Sequence, residues 1–205
     1  MDEILAYLKE KHKPIGMIVY GSFADGSNNM NSDFDAFLIN KGNETLHDHS
    51  FVNGTELDVF IYPKSFFEKE YDINDFLQVW DGKIIIDETG IAHEIKEEAC
   101  CFIRNYTGKT KEENELSLAW CEKMLLRTTR NDMEGLYRLH WLLVDSLEIY
   151  FDLKGLFYFG PKKAIRHLSL TDPESSEVYC RALKEPTEEH VADWVLCLKK
   201  SLMQE

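Results

Sequence analysis

Positive charge is scarce in this sequence. Its 205 residues include 23 lysines and arginines against 37 aspartates and glutamates, which gives a formal net charge of −14. A protein that binds a long nucleic acid needs a basic surface for the phosphates, so the charge argues against that kind of partner. An acidic chain instead suits an enzyme that acts on a small molecule, in which bound cations neutralise an anionic ligand.

Long apolar runs and paired cysteines are also missing. No apolar stretch approaches the roughly 20 residues of a membrane span, so no membrane partner is expected. The N-terminus lacks the charged and then apolar pattern of a secretory signal. The five cysteines are odd in number and form no CxxC pair, which indicates reduced core thiols. These absences predict a cytoplasmic protein, and its 44% hydrophobic content is enough for a real core.

The first half of the chain mixes helix and strand patterns. Apolar periodicity predicts helices over residues 3–12 and 63–80 and strands over 15–20, 33–40, 55–62 and 83–87. Residues 41–53 are polar and predict an exposed loop, in which a metal site at His47 and His49 is the minor alternative. The dipeptide Asn53-Gly54 is typical of a tight turn between two strands.

The second half is predicted to be helical throughout. Helix patterns cover residues 91–105, 113–130, 133–154, 161–169, 174–184 and 187–203. The fold class is therefore α+β, with a small mixed sheet followed by an all-α bundle. The change of pattern near Thr107-Gly108 predicts a first domain over residues 1–108 and a helical domain over residues 109–205.

Two aspartates at the start of a predicted strand are the strongest chemical signal. Side chains two residues apart on a strand project from the same face, so Asp33 and Asp35 lie side by side. Adjacent carboxylates repel each other unless a cation lies between them, and Mg²⁺ prefers oxygen ligands. Asp58, in the next predicted strand, joins them if the two strands pair. Three carboxylates can hold two metal ions, a pair that stabilises the attacking and leaving oxygens of a phosphoryl transfer.

A glycine and a serine end the strand before these aspartates. Gly21 lets the backbone approach a ligand closely, and Ser22 offers a hydroxyl and an amide to a phosphate. If a helix begins there, its first amides point at the same anion. Each signal alone also fits a surface turn or a polar strand edge. Their fixed order between apolar strands favours a functional site.

The stretch VYGSFADGSNNMNSDFDAFL, residues 19–38, resembles the signature of the polymerase-beta-type nucleotidyltransferase superfamily. That signature is an apolar strand, Gly-Ser, about ten residues, and Asp-x-Asp in a second strand, with a third carboxylate that falls here on Asp58. The size and helical second half are similar to those of antibiotic-modifying members of the kanamycin and lincosamide types. Many members carry arginine after Gly-Ser, whereas this chain has Phe23.

The resemblance implies transfer of a nucleoside monophosphate from an NTP, most simply ATP, to a hydroxyl of a small-molecule acceptor. Two Mg²⁺ ions would be held by Asp33, Asp35 and Asp58, and Gly21 and Ser22 would hold the β and γ phosphates. An aminoglycoside-like or lincosamide-like antibiotic is the implied acceptor, which would make the protein an antibiotic-resistance enzyme. A homodimer is a further implied possibility, because antibiotic-type relatives can build the site between chains.

Two candidates lie in the helical half. Asp145 has apolar neighbours in the sequence, which would raise its pKa and suit a general base; a carboxylate bonded to a neighbouring helix is the alternative. Lys163, in the densest basic segment of the chain, is a candidate for holding the triphosphate, or else balances nearby acidic groups.

Three other functions compete with a small-molecule transferase. An antitoxin-like module that binds or nucleotidylates a partner protein is disfavoured by the long helical half. A nucleic-acid nucleotidyltransferase is disfavoured by the charge. A catalytically dead member is disfavoured by the complete set of three aspartates.

Overall fold

The computed structural model describes residues 1–130 and 132–202. The chain divides into two compact units, Met1–Asn105 and Tyr106–Glu205. The first unit contains a mixed sheet and three α-helices, and the part of the second unit that the structure describes contains helices and no strand. The predicted α+β class is therefore confirmed.

The sheet of the first unit has six strands. In chain order the elements are α1 (Asp2–His12), β1 (Gly16–Val19), α2 (Gly21–Asp25), β2 (Phe34–Asn40), β3 (Leu46–Asp48), β4 (Phe51–Val52), β5 (Thr55–Pro63), β6 (Lys83–Asp87) and α3 (Ile91–Arg104). The strands lie in the order β3-β5-β2-β1-β6, and β4 pairs with β5. Strands β2 and β5 are parallel, whereas the other pairs are antiparallel.

Each face of the sheet buries its own apolar layer. Helix α1 covers one face, where Ile4 and Leu8 pack with Phe34 and Leu57. Helix α3 and residues 73–79 cover the other face, where Phe76 packs with Phe37. The alternation of side chains along β5 follows from this arrangement, since residues 57, 59 and 61 are buried against α1 while residues 58, 60 and 62 point the other way.

Over residues 106–130 and 132–202, the second unit is a bundle of five helices. These are α4 (Lys111–Thr128), α5 (Met133–Leu153), α6 (Pro161–Thr171), α7 (Pro173–Lys184) and α8 (Glu188–Leu202). Trp194 is fully buried in its core, and its indole N–H donates to Ser146 Oγ at 2.9 Å. All six predicted helices after residue 91 are found, with ends that move by a few residues. Residue 203, the predicted end of the last helix, lies outside the described residues.

Two predictions for the first half are wrong, and one for the cysteines of both halves is wrong in part. Residues 63–80 form two short 3₁₀ segments, Lys64–Phe66 and Ile73–Val79, instead of one helix. Asp72 accepts a hydrogen bond from the amide of Asn74 and so begins a second segment where a continuous helix was expected. The polar residues 41–53 include strands β3 and β4. Among the cysteines, Cys121 is buried but Cys101 is exposed, so not all five are core thiols.

A buried aspartate fastens the three-residue strand β3 to α1. Asp48 is 6% exposed, and its Oδ2 accepts hydrogen bonds from His12 Nε2 at 2.6 Å and from Lys11 Nζ at 2.9 Å. Ser50 donates to Oδ1 from both its amide and its hydroxyl. Burial by itself would raise the pKa of Asp48. The hydrogen bonds from Ser50, His12 and Lys11 outweigh burial and hold that pKa well below its usual range.

We expect Asp48→Asn to lower the free energy of unfolding by about 3 kcal/mol at neutral pH, because it breaks a buried charged cluster. The pKa of Asp48 is lower in the folded chain than its value of about 3.9 in the unfolded chain. Its contribution is therefore complete above the unfolded pKa and is lost as the pH falls through the folded pKa. Urea unfolding of the wild type and the variant at pH 7, 5 and 3 measures this difference.

The difference in free energy of unfolding between the wild type and Asp48→Asn should become smaller below about pH 4. Glu44→Gln, a neutralisation of an exposed carboxylate in the same unit, is the control and should leave the unfolding curves unchanged. If the difference in free energy of unfolding is as large at pH 3 as at pH 7, the charge of Asp48 is not what stabilises β3.

Candidate active site

The structure brings the three predicted aspartates together. Strands β2 and β5 pair in parallel, and Asp35 lies directly opposite Asp58 in that register. Asp33 comes immediately before β2. Each of the three residues offers a carboxylate oxygen, and these oxygens lie within 4.8 Å of one another. The side chain of Asp58 is thus on the same side of the sheet as those of Asp33 and Asp35.

Gly21 lies directly against Asp35. It has φ +66°, in the left-handed region, and a Cβ built on it would lie 2.2 Å from Asp35 Oδ2. The amide of the preceding Tyr20 donates to the backbone oxygen of Asp35 at 3.1 Å. Glycine is therefore required here both by backbone conformation and by the proximity of the carboxylate. Ser22 follows in the first turn of α2, where it is buried.

Tyr20 is a neighbour of the triad that the sequence did not reveal. Its side chain is buried, and burial raises the pKa of the phenol, with further contributions from the negative charges of Asp35 and Asp58. Tyr20 is therefore a neutral phenol beside the carboxylates at physiological pH. Its place next to Gly21 was the only available signal, and an aromatic residue at a strand end is more often part of a core.

His47 is a second neighbour that the sequence did not reveal. It lies in β3 opposite Phe60 of β5, and its Nε2–H donates to Asp58 Oδ1 at 2.6 Å. His47 is exposed, as predicted, but it lies in a strand and not in a loop, because residues 46–48 pair with β5. A metal site at His47 and His49 gains no support: over residues 1–130 and 132–202, the triad is the one group of three such ligands that converges.

The triad fits a divalent cation. Its donors are carboxylate oxygens alone, which is the ligand type that Mg²⁺ and Mn²⁺ prefer. Three negative groups so close together repel each other and favour a cation between them. Asp33 is exposed and the other two are partly buried, so the site is accessible to a ligand that brings its own charge.

A comparison with family models decides the assignment. Residues 1–107 match the model described as "Nucleotidyltransferase domain". The chain belongs to this nucleotidyltransferase family. The resemblance to the polymerase-beta-type superfamily is thereby confirmed, and the protein is a nucleotidyltransferase. Members of the family generally use an NTP and a divalent metal.

Other comparisons add little to this assignment. A solved structure of a nucleotidyltransferase-like protein from Exiguobacterium sibiricum 255-15 is 16% identical, with a TM-score of 0.45, and the match covers 99% of this chain and 74% of that chain. No curated protein matches the sequence. No helix within residues 1–130 and 132–202 has the length and apolar character to cross a bilayer.

In this nucleotidyltransferase domain the residue after Gly-Ser has a packing role. The ring of Phe23 meets Phe34 edge-on, with ring centroids 5.1 Å apart. Phe34 is fully buried at the start of β2, between the two aspartates. Phe23 therefore packs against the strand that follows Asp33 and carries Asp35. A positively charged side chain that contacts the triphosphate has to be supplied by another residue.

Asp145 has apolar neighbours, as predicted, but they do not bury it. It is exposed on α5, and its apolar neighbours Trp141 and Val144 are exposed as well. Trp141 Nε1 donates to Asp145 Oδ2 at 2.5 Å. Asp145 lines a cavity of about 430 Å³ with Lys109, Leu116, Ser117, Trp120, Glu148 and Ile149.

Two other charged residues of the helical unit differ in their partners. Asp152 is buried and pairs with Lys109 Nζ at 2.7 Å, so it stabilises the bundle and does not line the cavity. Lys163 lies in the first turn of α6, where its Nζ is 5.9 Å from the ring centroid of Phe159. Its predicted contact with a triphosphate stays a prediction.

Proposed function

We propose that the protein transfers a nucleoside monophosphate from an NTP to a hydroxyl of a small-molecule acceptor and releases pyrophosphate. The observation that carries this proposal is the convergence of Asp33, Asp35 and Asp58 within 4.8 Å beside a glycine that touches Asp35. The family assignment supports the reaction class. The nature of the acceptor is supported by the charge and the lining of the helical unit.

The three aspartates, Asp33, Asp35 and Asp58, would hold two Mg²⁺ ions. Bound there, the ions would supply charge neutralisation to the triphosphate and acidify the acceptor hydroxyl. Gly21 and Ser22 would receive the β and γ phosphates. In this assignment the chain's own part is to fix three negative ligands in one place and to keep the Gly-Ser backbone close to them.

The transfer step is a substitution at phosphorus. The acceptor oxygen forms a bond to the α-phosphorus while the bond to the oxygen bridging the α and β phosphates breaks, and pyrophosphate leaves with that electron pair. The hydroxyl proton passes to a general base, for which we propose Asp145. Trp141 already donates to Oδ2 of Asp145, which leaves Oδ1 to accept the proton.

The cavity beside Asp145 favours a cationic acceptor. Asp145 and Glu148 supply two carboxylates, and Trp120 supplies an aromatic ring that can contact a cation. The net charge of −14 attracts a polycation over a longer range. An aminoglycoside-like alcohol has this chemistry, so it is the first acceptor to test, and a lincosamide-like alcohol is the second. Lys163 is the proposed contact for the triphosphate.

Incubation of the full chain with labelled NTPs, Mg²⁺ and a panel of acceptors tests the proposal. The panel holds an aminoglycoside, a lincosamide, a neutral sugar and a protein extract. We expect label on an alcohol, and Asp145→Asn is expected to lower that transfer by about 10²-fold. Glu189→Gln, which neutralises an exposed carboxylate on α8, is the matched control and should transfer at the wild-type rate.

Other results would redirect the proposal. Label on a protein would support the antitoxin-like alternative. An absence of label together with metal-independent NTP binding would contradict a transferase. Unchanged turnover in Asp145→Asn would remove that residue from the mechanism while leaving the triad assignment intact.

A further inference from the structure

One histidine outside the triad touches a triad carboxylate. His47 Nε2 is 2.6 Å from Asp58 Oδ1, and since an ionised carboxylate can only accept, the histidine is the donor. The imidazole ring lies flat on Phe60, with centroids 4.3 Å apart and an angle of 4° between the planes. Both the position and the plane of the donor are thus fixed by β5, the strand that carries Asp58.

Asp58 needs such a partner because its own torsion is soft. The last torsion of an aspartate is broad and roughly two-fold, so the carboxylate plane is not fixed by rotamer preference. The side chain of Asp58 is 41% exposed, and its neighbours Asp33 and Asp35 repel it. A hydrogen bond to Oδ1 orients the plane and leaves Oδ2, and part of the capacity of Oδ1, for a cation, since a carboxylate has about four acceptor positions.

Asp35 is held in another way. Its Oδ2 lies against Gly21, and its strand runs through the middle of the sheet. Asp58 is on β5, whose outer neighbour is the short edge strand β3. The connection of Asp48 to Lys11 and His12 of α1 fixes β3, and so it fixes His47 one residue away. A chain of contacts therefore leads from α1 through β3 to the third carboxylate of the site.

We infer that His47 is the positioning residue of Asp58 and strengthens the binding of a divalent cation through it. Hydrogen-bonded partners of ligating carboxylates typically affect metal affinity by about 10–100-fold. The inference rests on the proposed function, because it takes Asp58 to be a metal ligand. It adds a residue that lies outside the Gly-Ser and Asp-x-Asp segments.

Direct Mn²⁺ binding to the full chain, measured by calorimetry without NTP, tests the inference. His47→Phe keeps a flat ring on Phe60 and removes the donor, and we expect it to weaken Mn²⁺ binding about 10-fold. His47→Gln places an amide N–H near the position of Nε2 and should recover most of the lost affinity. His49→Phe, the same change two residues along the chain, is the matched control and should bind as the wild type does.

The outcomes separate the inference from the proposed function. Wild-type or tighter Mn²⁺ binding by His47→Phe, or a His47→Gln variant no better than His47→Phe, would overturn the role of His47. Circular dichroism and thermal unfolding without metal establish that each variant is folded before affinities are compared. If Asp35→Asn binds Mn²⁺ as tightly as the wild type does, the triad is not the metal site and the proposed function itself fails.

Discussion

Asp35→Asn is expected to lower nucleotidyl transfer by about 10³-fold. Asp35 is the middle carboxylate of the triad, with Asp33 two residues before it on the same segment and Asp58 opposite it on the parallel strand. Asparagine has almost the same shape and retains one oxygen, but it lacks the charge that offsets a divalent cation. Loss of a preorganised electrostatic group in a site of this kind has large effects on turnover.

Turnover with labelled NTP at saturating Mg²⁺, together with Mn²⁺ titration, measures this effect. Asp75→Asn makes the same chemical change at an exposed aspartate of the same unit, so it should leave both quantities unchanged. A second readout is available in Tyr20, since the charge of Asp35 helps to raise the pKa of that phenol. The phenol of the variant should therefore titrate at a lower pH. Transfer by Asp35→Asn at a rate near that of the wild type would remove Asp35 from the site.

Gly21→Ala is expected to lower transfer by about 10²-fold and the free energy of unfolding by about 2 kcal/mol. The variant has to accept φ +66° with a side chain, and its Cβ would lie 2.2 Å from Asp35 Oδ2. No real Cβ tolerates that distance, so either the carboxylate rotates away from its partners or the backbone moves. Both responses displace a predicted ligand, which explains why activity should suffer more than stability.

Gly26 provides a matched control for this substitution. It lies at the end of the same short helix and has φ +77°, but a Cβ there would have nothing within 4 Å. Gly26→Ala therefore introduces the left-handed strain without the collision. Urea unfolding should show a larger loss of stability for Gly21→Ala than for Gly26→Ala, and only Gly21→Ala should lose Mn²⁺ affinity and transfer. Equal losses of transfer would show that backbone strain, and not proximity to Asp35, makes a glycine necessary at position 21.

The elements of this fold differ in how well the sequence predicts them. The helices after residue 91 carry long apolar periodicities, and each is found. Strand β3 has only three residues and is held by the burial of Asp48 against α1. No local sequence pattern could therefore predict it. Residues 63–80 carry aromatics at helix-like spacing, yet the rings of Phe66, Phe67 and Tyr71 pack edge-on against Phe76. Two short 3₁₀ segments form there instead of one helix.

The residues of the candidate site also differ in how well the sequence predicts them. The sequence predicts the three aspartates, because their order and their spacing on two strands place the carboxylates close together. These are Asp33, Asp35 and Asp58. His47 could not, since it reaches Asp58 through strand pairing across 11 positions of sequence. The apolar neighbours of Asp145 in sequence suggested burial, but α5 buries Leu143 and Leu147 and leaves Val144 and Asp145 exposed.

The sequence alone determined the residue types of the site, their order, and the alternation that directs Asp35 and Asp58 to the opposite face of their strands from Phe34 and Leu57. Tertiary structure decided that β2 and β5 run parallel with these two aspartates opposite each other, and that His47 contacts one of them. The physical reason is that periodicity and turn chemistry act over a few residues. Strand register and carboxylate partners depend on pairings between distant segments, which form only when the whole sheet packs.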